Sequence, residues 1–198
     1  MQSISGFVES YVSRIPELFT KEIIEKISEL TRDLFQAWAE GRSVFICGNG
    51  GSAANAIHIS NDLFYGVGAC GNPPNRLGLK IEALSTNTAI MTCLANDEGY
   101  EYIFSQQLMT KAEKNDLLIV LSGSGNSVNI LNAVEVAKKL NVKSYGIVAF
   151  SGGKLKQSCD VPLHFQIDDM QIAEDTQLIV GHLCMQWLNV NKHQLKLP

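Results

Sequence analysis

The sequence has no apolar run approaching the roughly 20 residues that span a bilayer. Its start, Met1-Gln-Ser-Ile-Ser-Gly6, lacks the basic segment and apolar stretch of a secretory leader. There is no C-x-x-C pair either: the five cysteines, Cys47, Cys70, Cys93, Cys159 and Cys184, are scattered and odd in number. These absences argue against a disulfide framework and for reduced thiols, so a cytoplasmic protein without membrane contact is expected. Positive charge is scarce: 16 Lys and Arg stand against 20 Asp and Glu, mixed along the chain, for a formal net charge of -4. With no linear basic stripe to hold a polyanionic backbone, nucleic acid is not expected as a partner. Solenoid repeats, low-complexity segments and charge blocks are missing as well. What remains is 198 residues, 45% of them hydrophobic, enough for one domain with a single substantial core.

From Gly6 to Glu40 apolar residues recur at three- and four-residue spacing, interrupted at Pro16, which predicts two amphipathic helices. Short runs rich in β-branched residues follow at Val44–Cys47, Ile81–Ser85, Leu117–Leu121 and Tyr145–Phe150. They read as buried parallel strands. A weaker run, Val161–Ile167, predicts a last strand whose proline places it at a strand start or sheet edge. Helical stretches lie between: Ser52–Phe64, Thr88–Asn96, Tyr102–Lys114, Ser127–Leu140 and Gln171–Val190. This alternation predicts an α/β fold, a doubly wound and mostly parallel five-stranded sheet between helix layers. The segment Tyr65–Gly78 predicts a long loop bordering the site. In such sheets ligands bind beyond the carboxyl ends of the strands, so motifs placed there carry the function.

Two motifs are so placed. Cys47-Gly-Asn-Gly-Gly-Ser-Ala53 leaves a strand and opens a helix; its glycines admit close backbone approach, and Ser52 can cap the helix or bind a ligand. It lacks the third glycine of the dinucleotide fingerprint, and no P-loop lysine follows, so no nucleotide cofactor is expected. Leu121-Ser-Gly-Ser-Gly-Asn-Ser127 brings three hydroxyls and several backbone N–H groups to a helix N-terminus, a neutral but donor-rich anion site suited to a phosphate.

Together with Ala95-Asn-Asp-Glu-Gly-Tyr100 and Ile103-Phe-Ser105 between them, these loops resemble the phosphoheptose isomerase branch of the sugar isomerase (SIS) family over nearly the whole chain. The resemblance implies a flavodoxin-like SIS core over residues 41–198, with residues 1–40 as extra helices for assembly. It also implies a tetramer with active sites at subunit interfaces, and conversion of sedoheptulose 7-phosphate to glycero-manno-heptose 7-phosphate. Position by position, it assigns substrate contacts to Asn49, Gly50, Gly51, Ser52, Asn96, Asp97, Ser122, Gly123, Ser124 and Ser127. Gly123 departs from the threonine usual in the family, which removes one side-chain donor.

His58 and Asp62 lie four residues apart on one predicted helix, and Glu174, Leu178 and His182 follow the same step on another. Two imidazoles and two carboxylates on two helices suit a divalent metal such as zinc and equally an acid/base pair; singly, each also reads as an ordinary helix polar group. The resemblance implies Asp62 and His182 as the proton-transfer pair. It implies His58, Asp62, Glu174 and His182 as zinc ligands, with Asp62 and Glu174 also in contact with substrate. Aspartate replaces the usual glutamate at 62 and glutamate the usual glutamine at 174. The arginine that relatives carry after the first of these helices is replaced by Tyr65-Gly-Val-Gly-Ala69. Those departures keep two other readings open: an isomerase of a different phosphosugar, and a non-catalytic sugar-phosphate-binding regulator, such as relatives that assemble a replication initiator on DNA.

Overall fold

A computed structural model describes residues 3–68 and 78–195 of the chain. Of the loop expected at 65–78, residues 69–77 lie outside the described residues.

Helix α1 (Ile4–Ser13) and a 3₁₀ turn (Pro16–Leu18) precede the long α2 (Lys21–Glu40). Thr20 caps α2 by accepting from the Ile23 N–H, and Gly41 ends it in the left-handed region, φ 67°. There follow β1 (Ser43–Gly48), α3 (Gly51–Asn61), β2 (Lys80–Ala83), α4 (Thr88–Asp97), α5 (Ser105–Lys111), β3 (Leu117–Ser122), α6 (Val128–Leu140), β4 (Lys143–Val148), α7 (Leu155–Ser158), β5 (Val161–His164) and α8 (Met170–Asn191). The five strands pair in parallel in the order β2-β1-β3-β4-β5. Pro162 falls on the edge strand β5, where a missing ladder N–H is tolerated.

Side chains alternate across the sheet. Val44, Ile46, Leu117, Ile119 and Tyr145 face one core with α2, α3 and α8, while Phe45, Cys47, Leu118 and Val120 face a second core with α5, α6 and α7. The apolar stripe of α2 (Ile23, Ile27, Leu30, Leu34, Trp38) is buried in the first core, so residue 40 does not divide two cores. By contrast α1 buries no residue.

Three expectations shift. The helix expected over 102–114 shortens to α5, because a 3₁₀ turn occupies Tyr100–Tyr102 and Ala112 turns to extended backbone, ψ 143°. The last strand stops at His164, and α7 lies in what read as loop. The helix after the first loop does reach past residue 61, but as a π-helical turn, Asp62–Gly66.

Strand order reverses between β1 and β3, neighbours in the sheet whose next connections run to opposite edges. This is the switch point at which such sheets open a crevice beyond the strand ends. The glycine loop leaves β1 there, and the serine loop leaves β3 beside it.

Candidate functional site

The two loops enclose a cavity of about 290 Å³ lined by Asn49, Gly50, Gly51, Ser52, Leu121, Ser122, Gly123, Ser124, Ser127, Met170 and Glu174. Among the described residues, no lysine or arginine lines it. Its donors are neutral, so an anion here is held by hydroxyls and amides at a helix N-terminus. Ser127 is the N-cap residue of α6, yet its hydroxyl makes no capping bond. The Ser122 and Ser124 hydroxyls accept from the Gly125 and Asn126 N–H groups, 3.2 and 3.3 Å away, so their own protons point elsewhere.

The serine loop is braced from behind. The Leu155 N–H donates to the Gly125 carbonyl and the Lys154 N–H to the Asn126 side chain. Gly125 and Gly153 both have positive φ, and a Cβ on either would run into the backbone of the facing loop. Nearby, Phe150 adopts φ 48°, a left-handed conformation that costs an ordinary residue about 1–2 kcal/mol. Two bonds hold it there: its N–H donates to the Ile167 carbonyl at 3.0 Å, and its carbonyl accepts from His164 Nε2 at 2.7 Å.

Ser52 was expected as a cap or a ligand contact. The N-cap position of α3 is taken by Gly50, φ 54°, and the buried Ser52 hydroxyl accepts from Gln177 Nε2 at 3.1 Å. Asn49 is held by two residues that sequence reasoning passed over. Its amide exchanges bonds with Asn129 at 2.9 and 2.8 Å, and Tyr100 donates to its Oδ1 at 2.9 Å. Asn129 is buried in the structure, but in the sequence it is a lone amide in an apolar helix with no pattern to mark it; Tyr100 stood in the quoted motif without a role. Asn96 and Asp97 end α4 bonded to each other at 2.7 Å, exposed, and outside the cavity lining. Asp97 also accepts from the Cys93 thiol, which raises that thiol's pKa.

A second cluster stands farther along the same pair of helices. His58 Nε2 and His182 Nε2 are 3.0 Å apart, and Asp62 Oδ2 lies 3.5 and 3.6 Å from them. Around a tetrahedral zinc with ordinary bond lengths, ligand atoms sit about 3.4 Å from one another, so this trio has the spacing of a metal face. In the absence of metal one imidazole donates to the other. α3 and α8 come close because Gly181 presents no side chain to Ile59: a Cβ there would lie 2.6 Å from Ile59 Cγ1. Asn55 ties the helices further, donating to the Glu174 carbonyl and to Gln177.

Glu174 does not join that trio. Its carboxylate lies against Gly51, where any Cβ would collide with it, and it lines the serine-loop cavity instead. Of the four expected metal ligands the structure thus gathers three, and it brings the fourth to the expected substrate contacts.

Residues 8–149 match the model of the SIS domain family. Among curated relatives, a phosphoheptose isomerase of Aliarcobacter butzleri is 36% identical over 84% of this chain and 84% of its own length. One of Aneurinibacillus thermoaerophilus is 32% identical over 84% of this chain and 81% of its own. A solved phosphoheptose isomerase structure from Francisella tularensis superposes with a TM-score of 0.84 at 26% identity, covering 94% of this chain and 96% of that one. The two loops at the strand switch point, the helix pair beyond them and these likenesses agree: the chain belongs to the SIS domain family, in the branch of the phosphoheptose isomerases.

Proposed function

We propose that this chain is an aldose–ketose isomerase that converts sedoheptulose 7-phosphate to glycero-manno-heptose 7-phosphate. One observation carries the reading: the donor-rich cavity and the His–Asp–His trio lie at two stations along α3 and α8. Gly51 and His58 are seven residues apart on α3, and Glu174 and His182 eight on α8. At 1.5 Å per residue that is about 10–12 Å, comparable with an extended seven-carbon phosphosugar.

With the phosphate held by Ser122, Ser124, Ser127 and the amides around Gly123, the far end of the sugar chain is carried to the trio. Asn49, Gly50, Gly51 and Ser52 flank the path, with Asn96 and Asp97 as further contacts. Asp62 takes the proton from the carbon beside the carbonyl, and His182 delivers one to the carbonyl oxygen. The enediol collapses to the isomeric carbonyl when the hydroxyl on the first carbon gives its proton to His182 and Asp62 returns the abstracted proton to the neighbouring carbon. His58, Asp62 and His182 would hold a divalent metal, zinc by the character of the donor set. Such an ion would polarise the substrate's oxygens as a Lewis acid. Glu174 reaches the substrate from the cavity side.

We further read the assembly as a tetramer in the cytoplasm. The support is the exposed apolar face of α1, with Ile4, Phe7, Val8 and Val12, and an apolar groove between α2 and α8 bearing Ile24, Leu183, Trp187 and Val190. Among the described residues, no helix is long and apolar enough to cross a membrane.

The test is incubation with sedoheptulose 7-phosphate, with and without chelator, following the aldose product by NMR. Turnover that chelator abolishes supports both the reaction and the metal; no turnover by folded, metal-replete protein overturns the reaction. A second reading, phosphosugar binding without catalysis, is favoured by the retained serine loop together with the shorter Asp62 and the missing arginine after that helix. Tight sugar-phosphate binding with no conversion would establish it.

A further inference from the structure

Gly123 is not at a positive φ, so its backbone would accept any side chain. What a side chain there would meet is Met170: a Cβ would lie 2.7 Å from the Met170 sulfur and 3.2 Å from its methyl carbon, with Phe150 Cε2 next at 3.7 Å. Met170 is the first residue of α8 and lines the same cavity as Ser122, Ser124 and Ser127. The Phe150 ring behind it is set by that residue's left-handed backbone, and the Ala149 N–H donates to the Gly123 carbonyl at 2.9 Å, tying the two loops together. One side of the cavity is therefore a row of hydroxyl and amide donors, and the other carries the Met170 thioether and the Glu174 carboxylate.

We propose that Met170 is a phosphate-positioning residue of this cradle, and that it works as a unit with Gly123. The thioether occupies the volume that a side chain at 123 would take, and so fixes how wide the cradle is and where the phosphate sits against Ser122, Ser124 and Ser127. The proposal rests on the reading of the serine loop as a phosphate cradle. An unbranched thioether suits this task, since it fills an irregular gap without demanding a hydrogen bond. The contact falls on the free end of a flexible side chain, so a residue larger than glycine at 123 displaces Met170 without disturbing the buried core. The fold tolerates that change, and the ligand does not.

The test compares Gly123→Thr, Met170→Ala and the double variant with the parent. It uses inorganic phosphate binding by calorimetry, KM and kcat for sedoheptulose 7-phosphate, and thermal melting. Gly123→Thr should melt within about 2 °C of the parent, a shift of under about 1 kcal/mol for a chain of this size. Although the threonine hydroxyl adds a donor, the displaced thioether should outweigh it, weakening phosphate binding and raising KM by about tenfold, the worth of roughly one hydrogen bond to a charged group, with a smaller effect on kcat. Met170→Ala should weaken binding several-fold by leaving the cradle wide. The double variant should return to within about threefold of the parent, since the new side chain refills the vacated space. Additive losses in the double variant, or an unaltered KM in Gly123→Thr, would overturn the pairing. Should Gly123→Thr fail to fold, Gly123→Ala places the Cβ alone against the thioether and is read in the same way. If the parent binds no phosphate, the cradle reading itself fails; if the parent binds it and the variants are additive, only the pairing does.

Discussion

Glu174 brings a negative charge into the cavity where a phosphate is proposed to bind, beside Gly51 and facing the serine loop. Two unit charges about 6 Å apart in a partly solvated cleft repel by roughly 1–3 kcal/mol. Glu174→Gln keeps the shape and removes the charge, so metal-stripped protein carrying it should bind inorganic phosphate about tenfold more tightly by calorimetry. Unchanged or weaker binding would count against a carboxylate facing the anion. Asp62 and His182 lie outside the cavity lining, so their replacement should spare phosphate binding and strike the chemistry. Asp62→Asn and His182→Ala should each lower kcat by about 10²- to 10⁴-fold, the usual worth of a positioned acid or base. Equal kcat in either variant would remove that residue from proton transfer. Although their roles came from the family resemblance and not from the spacing, these side chains were legible as four-residue helical steps. Asn129, Gln177 and Asn55 were not, since a lone amide in a helix carries no pattern until the partner it bonds is brought next to it.

At the scale of elements, the central strands were readable because parallel strands buried on both faces are continuous apolar runs, and Val44–Cys47 and Leu117–Leu121 each fell within one residue of the strand found. What eluded the pattern was whatever depends on contacts. The π-helical turn at Asp62–Gly66 carries an apolar spacing indistinguishable from an α-helix, and its cause lies in the returning chain: a Cβ at Gly78 would collide with the Phe64 carbonyl, and the Leu79 N–H donates to the Leu63 carbonyl at 3.0 Å. It begins at the residue where aspartate stands, a common setting for such turns at functional sites. Glu174 and His182 could be placed on one helix from sequence, but not on opposite stations of a site, because that requires knowing how α8 lies on α3. The closeness of that crossing rests on Gly181. Gly181→Ala forces the buried Ile59 aside and should destabilise the chain by about 1–3 kcal/mol in denaturant titration. It should also lower isomerase activity, since His182 is the next residue. A variant as stable as the parent would mean that the two helices are not in close contact at that point.

For the whole molecule the unsettled piece is α1, which buries nothing in the protomer and presents Ile4, Phe7, Val8 and Val12 to solvent. Substituting Phe7 and Val8 together by glutamate should therefore lower the mass measured by light scattering while leaving the core fold intact. What ties α1 to its own chain is polar: Arg14 pairs with Asp169 at 2.9 Å, and the Tyr11 hydroxyl donates to Asp175 at 2.6 Å. Because that bond favours the protonated phenol, the Tyr11 pKa is pushed from 10.0 up to about 12. The folded chain thus keeps a proton that the unfolded chain gives up near pH 10. The stability it contributes is complete below pH 10, declines between pH 10 and 12, and is gone above that range. Tyr145 is also raised, by burial and its bond to Asp33, so the parent's alkaline loss has more than one source. The difference between the parent and Tyr11→Phe isolates the α1 anchor: their melting temperatures should differ most near neutral pH and converge as pH rises toward 12. A constant difference across that range would show that the hydroxyl holds α1 by no bond that titrates.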